Sequence, residues 1–567
     1  MTTAVTSYLS ELLKRTNLFQ PEQVFELLSA VQSGGENITQ TVVRLGYATE
    51  QGFLEAIGQV MNLPCVKLAT ATIDREVLEK LPPKAVFQYN VIPVSMENQV
   101  LLVATNNPLN PGLTDALRAA SGMRVRLALC PSDDIAKASK MFYGVGAETV
   151  DRIMQDDRFE VSGDELVGRA DLGELDQEAS IVKFVNQIIW EAFQQGSTDI
   201  HMEPMEDALR IRYRIDGVLH QTPVPLQLNR IQAAIISRIK VMANMDIAEK
   251  RLPMDGRIGL RIQGRDLDIR VSTMPTVHGE SISLRLLQGK GQFISLEELG
   301  MNERDSKLIT KIINRPNGII LVTGPTGSGK STSLYAYLHE INTMDVRILT
   351  AEEPIEYEMP GINQVLVRSE IGLTFSRILR SFLRQDPDII MVGEIRDMET
   401  AEIAIQASLT GHLVFSTLHT NDAPASFTRL LDMGLEPYLV ASAVVAVVAQ
   451  RLVRKLCPAC RRVVVPDLAA LKGIGFPVNL LPGHTIYEPS ACEACRQSGF
   501  RGRRGIFEVL EVTDEIISLV TSRSSSNKVK QMAISQGMQT LRDDGWLKVL
   551  GGVTTLEEVL RATEENE

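Results

Sequence analysis

The pattern of hydrophobic positions is clearest between residues 300 and 450, where short apolar runs alternate with helical patterns. Residues 319–322 (Ile-Ile-Leu-Val) contain no polar position, which is typical of a strand buried on both faces of a parallel sheet. Residues 389–392 and 413–415 have the same character. Buried strands that alternate with helices predict an α/β fold with a parallel sheet.

Two further α/β regions precede this one. In residues 1–145 apolar residues recur at helical spacing before short apolar strands, which predicts an independent domain. From about residue 180 to residue 287, strands alternate with an amphipathic helix near residues 231–242. Residues 148–178 hold eleven Asp or Glu and three Lys or Arg, which is typical of a solvated linker. The expected divisions are 1–145, a linker over 146–179, 180–290, a core over 291–450, a cysteine module over 451–505 and a helical region over 506–567.

A glycine-rich loop follows the first buried run. Residues 324–332 fill the pattern G-x-x-x-x-G-K-[ST] at every position, and a helical pattern follows them. In such a loop the backbone N–H groups surround a phosphate, the lysine reaches the terminal phosphates and the serine hydroxyl can bind magnesium. The sequence therefore predicts a site for a nucleoside triphosphate and Mg²⁺. Its residues are Gly324, Pro325, Thr326, Gly327, Ser328, Gly329, Lys330, Ser331 and Thr332.

Acidic residues follow two of the other predicted strands. Glu394 comes after the run 389–392, on a strand that we expect to lie next to the loop strand, where phosphate-loop proteins carry an acid for the magnesium shell. Glu352, Glu353 and Glu356 follow another strand and surround a proline. Carboxylates in that place suit the orientation or deprotonation of a water near the γ-phosphate.

Two histidines, His412 and His419, bracket the predicted strand 413–418. A single histidine at a strand end is more often structural. Two of them around one central strand, near the expected site, suggest a phosphate-sensing role, and both interpretations stay open at this point.

Composition limits the class of protein. The chain has 567 residues, of which 44% are hydrophobic and 23% are charged, as is ordinary for a globular protein of several domains. Its net charge of −12 argues against a nucleic-acid motor, which usually has a basic surface. No signal peptide is evident, and the longest apolar stretch, residues 438–449, is too short to span a bilayer and is expected to be a buried helix. We therefore expect a cytoplasmic protein that associates with membranes only through a partner.

Four of the six cysteines form two C-x-x-C pairs, which is the usual spacing of a tetrahedral zinc site. Four thiolates leave no open position on the metal, so we expect a structural Zn²⁺ held by Cys457, Cys460, Cys492 and Cys495. The stretch around the first pair is basic and is expected to be a solvated face, with contact to a partner or an acidic lipid surface as the alternative. Its basic residues are Arg451, Arg454, Lys455, Arg461 and Arg462.

The motifs together resemble the secretion ATPase superfamily, which powers type II secretion and type IV pili. Those that carry the resemblance are GPTGSGKST at 324–332, AEEPIE at 351–356, DPDIIMVGEIRD at 386–397 and GHLVFSTLHTND at 411–422. The second N-terminal domain of that family is similar to three segments of this chain, residues 197–204, 251–257 and 271–280. The zinc-bearing branch of the family is similar to residues 450–460 (QRLVRKLCPAC). The similarity is close from about residue 180 onward and loose over 1–145. Pilus extension ATPases are the most similar branch, and type II secretion ATPases are very close to it.

The resemblance implies a RecA-like core and a role for individual residues. Glu356 matches the catalytic glutamate of the family and is expected to be the general base, and Glu394 matches the Walker B glutamate. His412 and His419 match the histidine box. Glu353 replaces the aspartate that is usual in the acidic box, which keeps the charge and lengthens the side chain. In such hexamers, arginines of the second domain can approach the nucleotide. The corresponding residues of this chain are Arg214, Arg257, Arg270 and Arg285. For each of them alone, a salt bridge on the face of a strand is the alternative interpretation.

The implied function is that of a cytoplasmic, homohexameric motor that uses ATP, Mg²⁺ and a structural Zn²⁺. It would turn an inner-membrane platform protein of the PilC type and so polymerise pilin. Pilus alignment proteins are further expected partners, and the motor would be peripheral to the membrane through these proteins. The alternatives are a type II secretion ATPase, a nucleic-acid translocase, which the acidic balance disfavours, and a regulatory scaffold with little hydrolysis, which the intact acids disfavour.

Cyclic di-GMP is a further ligand that the N-terminal domain of such proteins can bind. Tyr8, Ser10 and Thr39 stand here where the first arginine and the two glycines of the family's motif would be. Loss of the glycines removes the close approach of the backbone to a ligand. We expect no strong cyclic di-GMP site, and we expect the domain to dock onto a partner.

Overall fold

The polypeptide divides into two units. The computed structural model describes residues 3–34, 37–68, 71–110, 112–144, 146, 147, 149, 172–225, 228–262, 265–288 and 294–564. One unit comprises Met1–Ile262 and Asp268–Leu286, and the other comprises Gln263–Leu267 and Leu287–Glu567. Each unit encloses hydrophobic clusters of its own.

The first domain of the first unit combines a helical bundle with a small sheet. Its helices are α1 (Thr3–Arg15), α2 (Pro21–Gly34), α3 (Ile38–Arg44), α4 (Glu50–Met61), α5 (Arg75–Leu78), α6 (Pro83–Tyr89), α7 (Leu113–Ser121) and α8 (Ser132–Tyr143), and its strands are β1 (Val91–Glu97), β2 (Val100–Thr105) and β3 (Arg124–Leu129). Strand β2 lies between the other two, antiparallel to β1 and parallel to β3. Thr39 is buried and its hydroxyl donates a hydrogen bond to the carbonyl of Asn106 at 2.9 Å, so this side chain serves the packing of the domain.

The second domain of this unit is built on a six-stranded sheet of order β6-β5-β4-β9-β8-β7. Its elements are α9 (Leu172–Gln194), β4 (Ser197–Pro204), β5 (Leu209–Ile215), β6 (Val218–Thr222), α10 (Leu228–Met242), β7 (Met254–Ile262), β8 (Arg265–Thr276) and β9 (Gly279–Gln288). Along β5, Leu209, Ile211 and Tyr213 are buried while the arginines between them are not, which is the alternation expected of a half-buried strand. Most of the predicted linker, residues 151–171, lies outside the described residues, and its last residues begin α9 at Leu172.

The second unit contains the central sheet and the C-terminal helices. Its strands are β10 (Gly318–Thr323), β11 (Ile348–Glu352), β12 (Asn363–Leu366), β13 (Ile389–Val392), β14 (Leu413–Leu418), β15 (Val444–Leu456), β16 (Arg462–Val464), β17 (Ile486–Glu488) and β18 (Phe500–Glu511). Its helices are α11 (Leu296–Leu299), α12 (Glu303–Ile313), α13 (Lys330–Ile341), α14 (Phe375–Phe382), α15 (Met398–Leu409), α16 (Ala425–Asp432), α17 (Pro437–Ala443), α18 (Leu468–Gly473), α19 (Asp514–Thr521), α20 (Ser526–Ser535), α21 (Leu541–Leu550) and α22 (Leu556–Thr563).

The central sheet has the order β12-β11-β13-β14-β10-β15-β18, and every neighbouring pair is parallel except β15 with β18. All residues of β10, β13 and β14 are buried, as the apolar runs predicted. The expectation that the strand before Glu394 lies next to the loop strand was wrong, because β14 lies between β13 and β10.

The apolar stretch 438–449 was expected to be one buried helix, and this expectation was wrong for its second half. Helix α17 ends at Ala443, and the chain continues at once as β15, in parallel register with β10. Residues 444–448 (Val-Val-Ala-Val-Val) are mostly β-branched, which favours a strand over a helix.

The cysteine module is inserted between two strands of the central sheet. Residues 451–456 belong to β15 and residues 500–505 to β18, so the ends of the predicted 451–505 module are part of the sheet. The inserted chain forms the antiparallel pair β16–β17 and helix α18. Arg454 of β15 forms an ion pair of 2.7 Å with buried Glu558 on α22, which fixes the base of the module to the C-terminal helices.

In the part of the chain that the structure describes, no helix is both long enough and apolar enough to cross a membrane.

Candidate active site

The phosphate loop, residues 324–329, connects β10 to α13 at the carboxyl edge of the central sheet. Gly324 and Gly329 have φ angles of 150° and 91°, which favour glycine. A Cβ atom on Gly324 would lie 2.5 Å from the carbonyl oxygen of Gln450, and one on Gly329 would lie 2.8 Å from its Nε2. The glycines are therefore needed both for the backbone angles and for the close packing of the loop on β15.

Lys330 is the first residue of α13. Its Nζ donates hydrogen bonds to the carbonyl oxygens of Gly324 at 2.7 Å and Pro325 at 3.1 Å, so the ammonium group lies within the curve of the loop. Burial lowers the pKa of Lys330 to about 8, while Glu394 acts to raise it and Arg451 to lower it. The hydroxyl-bearing Ser331 follows in the first helical turn and is exposed.

Glu394 and His419 lie together at the same edge of the sheet. One carboxylate oxygen of Glu394 is 2.7 Å from a guanidinium nitrogen of Arg396, and the other is 3.5 Å from His419 Nε2. Burial and the nearby Lys330 lower the pKa of His419, while Glu394 acts to raise it, and the net effect favours the neutral form of the imidazole. The structure thus brings Lys330, Glu394 and His419 together. It adds Arg396, which sequence reasoning missed although it stands two residues after Glu394.

His412 is not at this edge. It precedes β14, whose six residues span about 20 Å, and it therefore lies at the amino end of the strand. Its Nδ1 is 2.9 Å from the carbonyl oxygen of Ala407 near the end of α15. The two histidines that bracket the strand are thus separated by its full length, and the structure places only His419 beside the phosphate loop.

Of the three predicted acids, Glu352 is the last residue of β11 and is buried. Its carboxylate accepts hydrogen bonds from Thr350 at 2.6 Å, from Gln364 at 2.9 Å and from the hydroxyl of Tyr335. Burial raises the pKa of Glu352, against the opposing effect of these three donors. A carboxylate surrounded in this way holds the segment in place and is poorly accessible to water.

Glu353 is exposed and Glu356 is half-buried. The backbone N–H of Glu356 donates to the hydroxyl of Tyr335 at 3.2 Å, and the ring of Tyr335 packs edge-on against that of Tyr357 at 4.4 Å. Tyr335 belongs to α13, the helix that begins at the phosphate loop. The position of Glu356 is therefore tied to the loop through one tyrosine.

The predicted arginines belong to the other unit. Arg257 is exposed on β7 and Arg270 lies on β8, whereas Arg214 and Arg285 form ion pairs of 3.6 and 3.0 Å with Asp199. The last two are thus engaged in the strand-face salt bridges that were their alternative interpretation.

Two residues that sequence reasoning did not assign to the site, Gln450 and Arg451, lie against the phosphate loop. Gln450 is buried, and its Oε1 accepts a hydrogen bond of 2.7 Å from Ser333 on α13. Arg451 was expected on a solvated basic face, but it is only 6% exposed and donates to the carbonyl oxygen of Asn421 at 3.0 Å. Both residues are the first polar ones after the apolar run 444–449. The same pattern, a polar residue just after a buried strand, is what pointed to Glu394, so it could also have pointed to Gln450 and Arg451.

The four predicted cysteines form a cluster whose sulfur atoms all lie within 4.8 Å of one another. Three of the Sγ–Sγ distances are 3.8 Å (Cys457–Cys492), 3.7 Å (Cys460–Cys495) and 3.5 Å (Cys492–Cys495). Zn–S bonds of about 2.3 Å in a tetrahedron place the sulfurs about 3.8 Å apart, so the residues fit a structural zinc ion. The backbone N–H of Gly499 also points at Cys495 Sγ, 3.2 Å away, as expected for a thiolate acceptor.

Comparison with known proteins found two matching family models and several similar chains. The family model described as type II/IV secretion system protein matches residues 174–561, and the model of the MshEN domain matches residues 61–149. The chain is 40% identical over 559 residues to the type IV pilus assembly ATPase PilB of Myxococcus xanthus, covering 98% of both chains. It is 50% identical over 402 residues to the type II secretion system protein E of Pseudomonas aeruginosa, covering 71% of this chain and 79% of the relative.

Among solved structures, the ATPase DotB of Legionella pneumophila matches 68% of this chain and 96% of its own, with a TM-score of 0.50 at 21% identity. At that identity the likeness supports the fold alone. The expected fold class, an α/β chain with a RecA-like core, is confirmed.

The cysteine cluster gives a direct prediction about metal content. Purified protein should contain about one zinc ion per chain by elemental analysis, and Cys492→Ser should lose most of it and unfold at a lower temperature, because the site needs all four thiolates. Cys65→Ser, which changes an exposed cysteine outside the cluster, is the matched control and should keep its zinc. Equal zinc in both variants, or none in the unmodified chain, would contradict the assignment.

Proposed function

We propose that this chain, which belongs to the type II/IV secretion system protein family, is an ATP-hydrolysing motor that drives pilin polymerisation in type IV pilus assembly. The enzymatic part of the proposal depends on the close approach of Lys330, Glu394 and His419 at one edge of the central sheet. The pilus part depends on the similarity over 98% of both chains to a type IV pilus assembly ATPase. A lysine, an acid and a neutral imidazole around a phosphate loop are suited to binding a triphosphate and to responding to the loss of its last phosphate.

The phosphate loop and Lys330 hold the phosphates of ATP. In a loop of this kind the backbone N–H groups surround a phosphate, and the amino end of α13 adds the positive end of its dipole. Ser331 and Glu394 would hold Mg²⁺, which would neutralise charge that develops during phosphoryl transfer. His419 contacts Glu394 at 3.5 Å, so a change at the phosphates can reach the chain that follows β14.

Glu356 is the proposed general base. Glu352 is buried and already accepts three hydrogen bonds, which leaves Glu353 and Glu356 as the accessible acids. Of these, Glu356 is the one whose backbone is bonded to Tyr335 of α13. A base held by the helix that starts at the phosphate loop keeps its distance to a water near the γ-phosphate, which general-base catalysis requires. We propose a supporting electrostatic role for Glu353.

The working assembly that we propose is a homohexamer in the cytoplasm. Arg257 and Arg270 of the second domain are our candidates for contact with a nucleotide. Arg214 and Arg285 form ion pairs with Asp199. Cycles of hydrolysis would move the second domain relative to the core and turn an inner-membrane platform protein, to which pilus alignment proteins also connect. We propose that the assembly reaches the membrane only through these partners. The net charge of −12 does not favour a nucleic-acid partner. We propose no cyclic di-GMP site.

Export through a type II secretion system is the second candidate, and the 50% identity over 402 residues to a type II secretion system protein E favours it. Deletion of the gene distinguishes the two. If the pilus role is correct, surface fibres disappear and exoprotein secretion continues. Loss of exoprotein secretion with intact surface fibres would support the second candidate.

Steady-state ATP turnover with magnesium tests the enzymatic part of the proposal. Glu356→Gln should lower kcat by about 10²–10⁴, the loss expected for a general base, while its affinity for ADP stays unchanged. Glu358→Gln, an exposed neighbour in the same segment, is the matched control and should keep its kcat. Equal turnover in the Glu356→Gln variant and the unmodified protein would exclude Glu356 as the base. Absence of turnover in the unmodified protein would count against an ATPase.

A further inference from the structure

Strand β15 runs past the end of its neighbour β10. The last paired residues are Thr323 and Ala449, so Gln450 and Arg451 extend beside the first residues of the phosphate loop. A Cβ atom on Gly324 would lie 3.2 Å from the Nη1 atom of Arg451. The guanidinium group is therefore packed against the backbone at the start of the loop.

The other side of the same guanidinium contacts the histidine loop, which we define as residues 419–424 between β14 and α16. Arg451 Nη2 donates to the carbonyl oxygen of Asn421 at 3.0 Å, and Nη1 donates to the carbonyl oxygen of Gln450 at 3.2 Å. His419, which faces Glu394, lies two residues before Asn421. One buried side chain thus contacts both the phosphate loop, which precedes Lys330, and the histidine loop, which begins at His419.

Other contacts hold the two ends of the histidine loop. The N–H of Thr420 donates to the hydroxyl of Thr323 at 2.8 Å, and the N–H of Ala423 donates to buried Glu508 at 2.8 Å. Lys530 forms an ion pair of 3.2 Å with Asp422. Between these anchors, the contact of Arg451 with the middle of the loop restrains the backbone two residues after His419.

Arg451 also lies close to Lys330. Its Nη1 atom is packed against Gly324, whose carbonyl oxygen accepts a hydrogen bond of 2.7 Å from Lys330 Nζ. The guanidinium group is therefore near the place where the phosphates of a nucleotide would lie, because such a loop surrounds them.

We propose that Arg451 is a positioning residue for ATP hydrolysis, which fixes the histidine loop against the phosphate loop and so keeps His419 beside Glu394. The proposal rests on the proposed ATPase function. It assigns a role to a residue of the basic stretch that precedes the cysteines. The planar guanidinium has several donors in a fixed arrangement, and a lysine ammonium at the same position does not reproduce it.

The test is a double-mutant cycle on kcat, made with Arg451→Lys, His419→Ala and the two combined in the full chain. Arg451→Lys should lower kcat about tenfold or more, with little change in KM, because a hydrogen bond from a charged group is lost. The combined variant should be no slower than His419→Ala alone, since the positioning effect acts through His419. Arg462→Lys, which changes an arginine whose side chain is 69% exposed, is the matched control and should keep its kcat.

A purely structural role predicts a different result. In that case the loss caused by Arg451→Lys would be equally large with and without His419, and this outcome would overturn the proposal, as would unchanged kcat in Arg451→Lys. Failure of the unmodified protein to hydrolyse ATP would instead remove the function on which the proposal rests.

A second variant covers the case in which Arg451→Lys does not fold. Asn421→Gly loosens the loop through an exposed side chain and leaves Arg451 in place. It should lower kcat by a smaller factor than Arg451→Lys, because the hydrogen bond to the backbone carbonyl oxygen of residue 421 is kept, and the loss should show the same dependence on His419. If Asn421→Gly hydrolyses ATP at the unmodified rate, the positioning role is contradicted.

Discussion

The parallel pairing of β14 with both of its neighbours is the constraint on which the candidate site depends. Leu413 of β14 is paired with Gly318 of β10 on one side and with Ile389 of β13 on the other. Because all three strands start in register and run in the same direction, their carboxyl ends meet at one edge of the sheet. The phosphate loop, Glu394 and His419 follow those ends. A shift of two residues in either pairing would move them apart by about 7 Å, which no hydrogen bond or ion pair could bridge.

Three buried polar side chains lie near this edge of the sheet, and each is hydrogen-bonded to a neighbouring segment. Glu352, Gln450 and Arg451 are each less than 10% exposed, and burial of such groups is unfavourable unless they are hydrogen-bonded. Each has partners: Glu352 is surrounded by three donors, Gln450 accepts from Ser333, and Arg451 donates to two carbonyl oxygens. These groups connect neighbouring segments rather than fill the core. Glu352 links β11 with β12 and with α13, whereas Gln450 links β15 with α13 and Arg451 links β15 with the histidine loop.

The parts of the site that could be predicted from the sequence are those set by local pattern. The phosphate loop needs glycines and a lysine at fixed spacing, and the cysteine pairs need only a short turn each, so both are visible within a few residues. Strand order was not predictable in this way, because pairing partners far apart in the sequence decide it, and β14 was therefore not expected between β13 and β10. The burial of Arg451 has the same origin, since its neighbours come from the chain near residues 324 and 421. The distance of His412 from the phosphate loop could have been predicted. A residue that precedes a parallel strand lies at the amino edge of the sheet, whereas the phosphate loop, Glu394 and His419 lie at the carboxyl edge.

The affinity of the full chain for Mg²⁺–ATP, measured by calorimetry, tests most directly whether this edge of the sheet is a nucleotide site. The unmodified chain should bind, and Lys330→Ala should bind at least about tenfold more weakly, because it loses the cation that faces the phosphates. Lys455→Ala removes an equal charge from an exposed position on β15 and should bind like the unmodified chain. Equal affinity in the Lys330→Ala and Lys455→Ala variants, or no binding by the unmodified chain, would contradict the account.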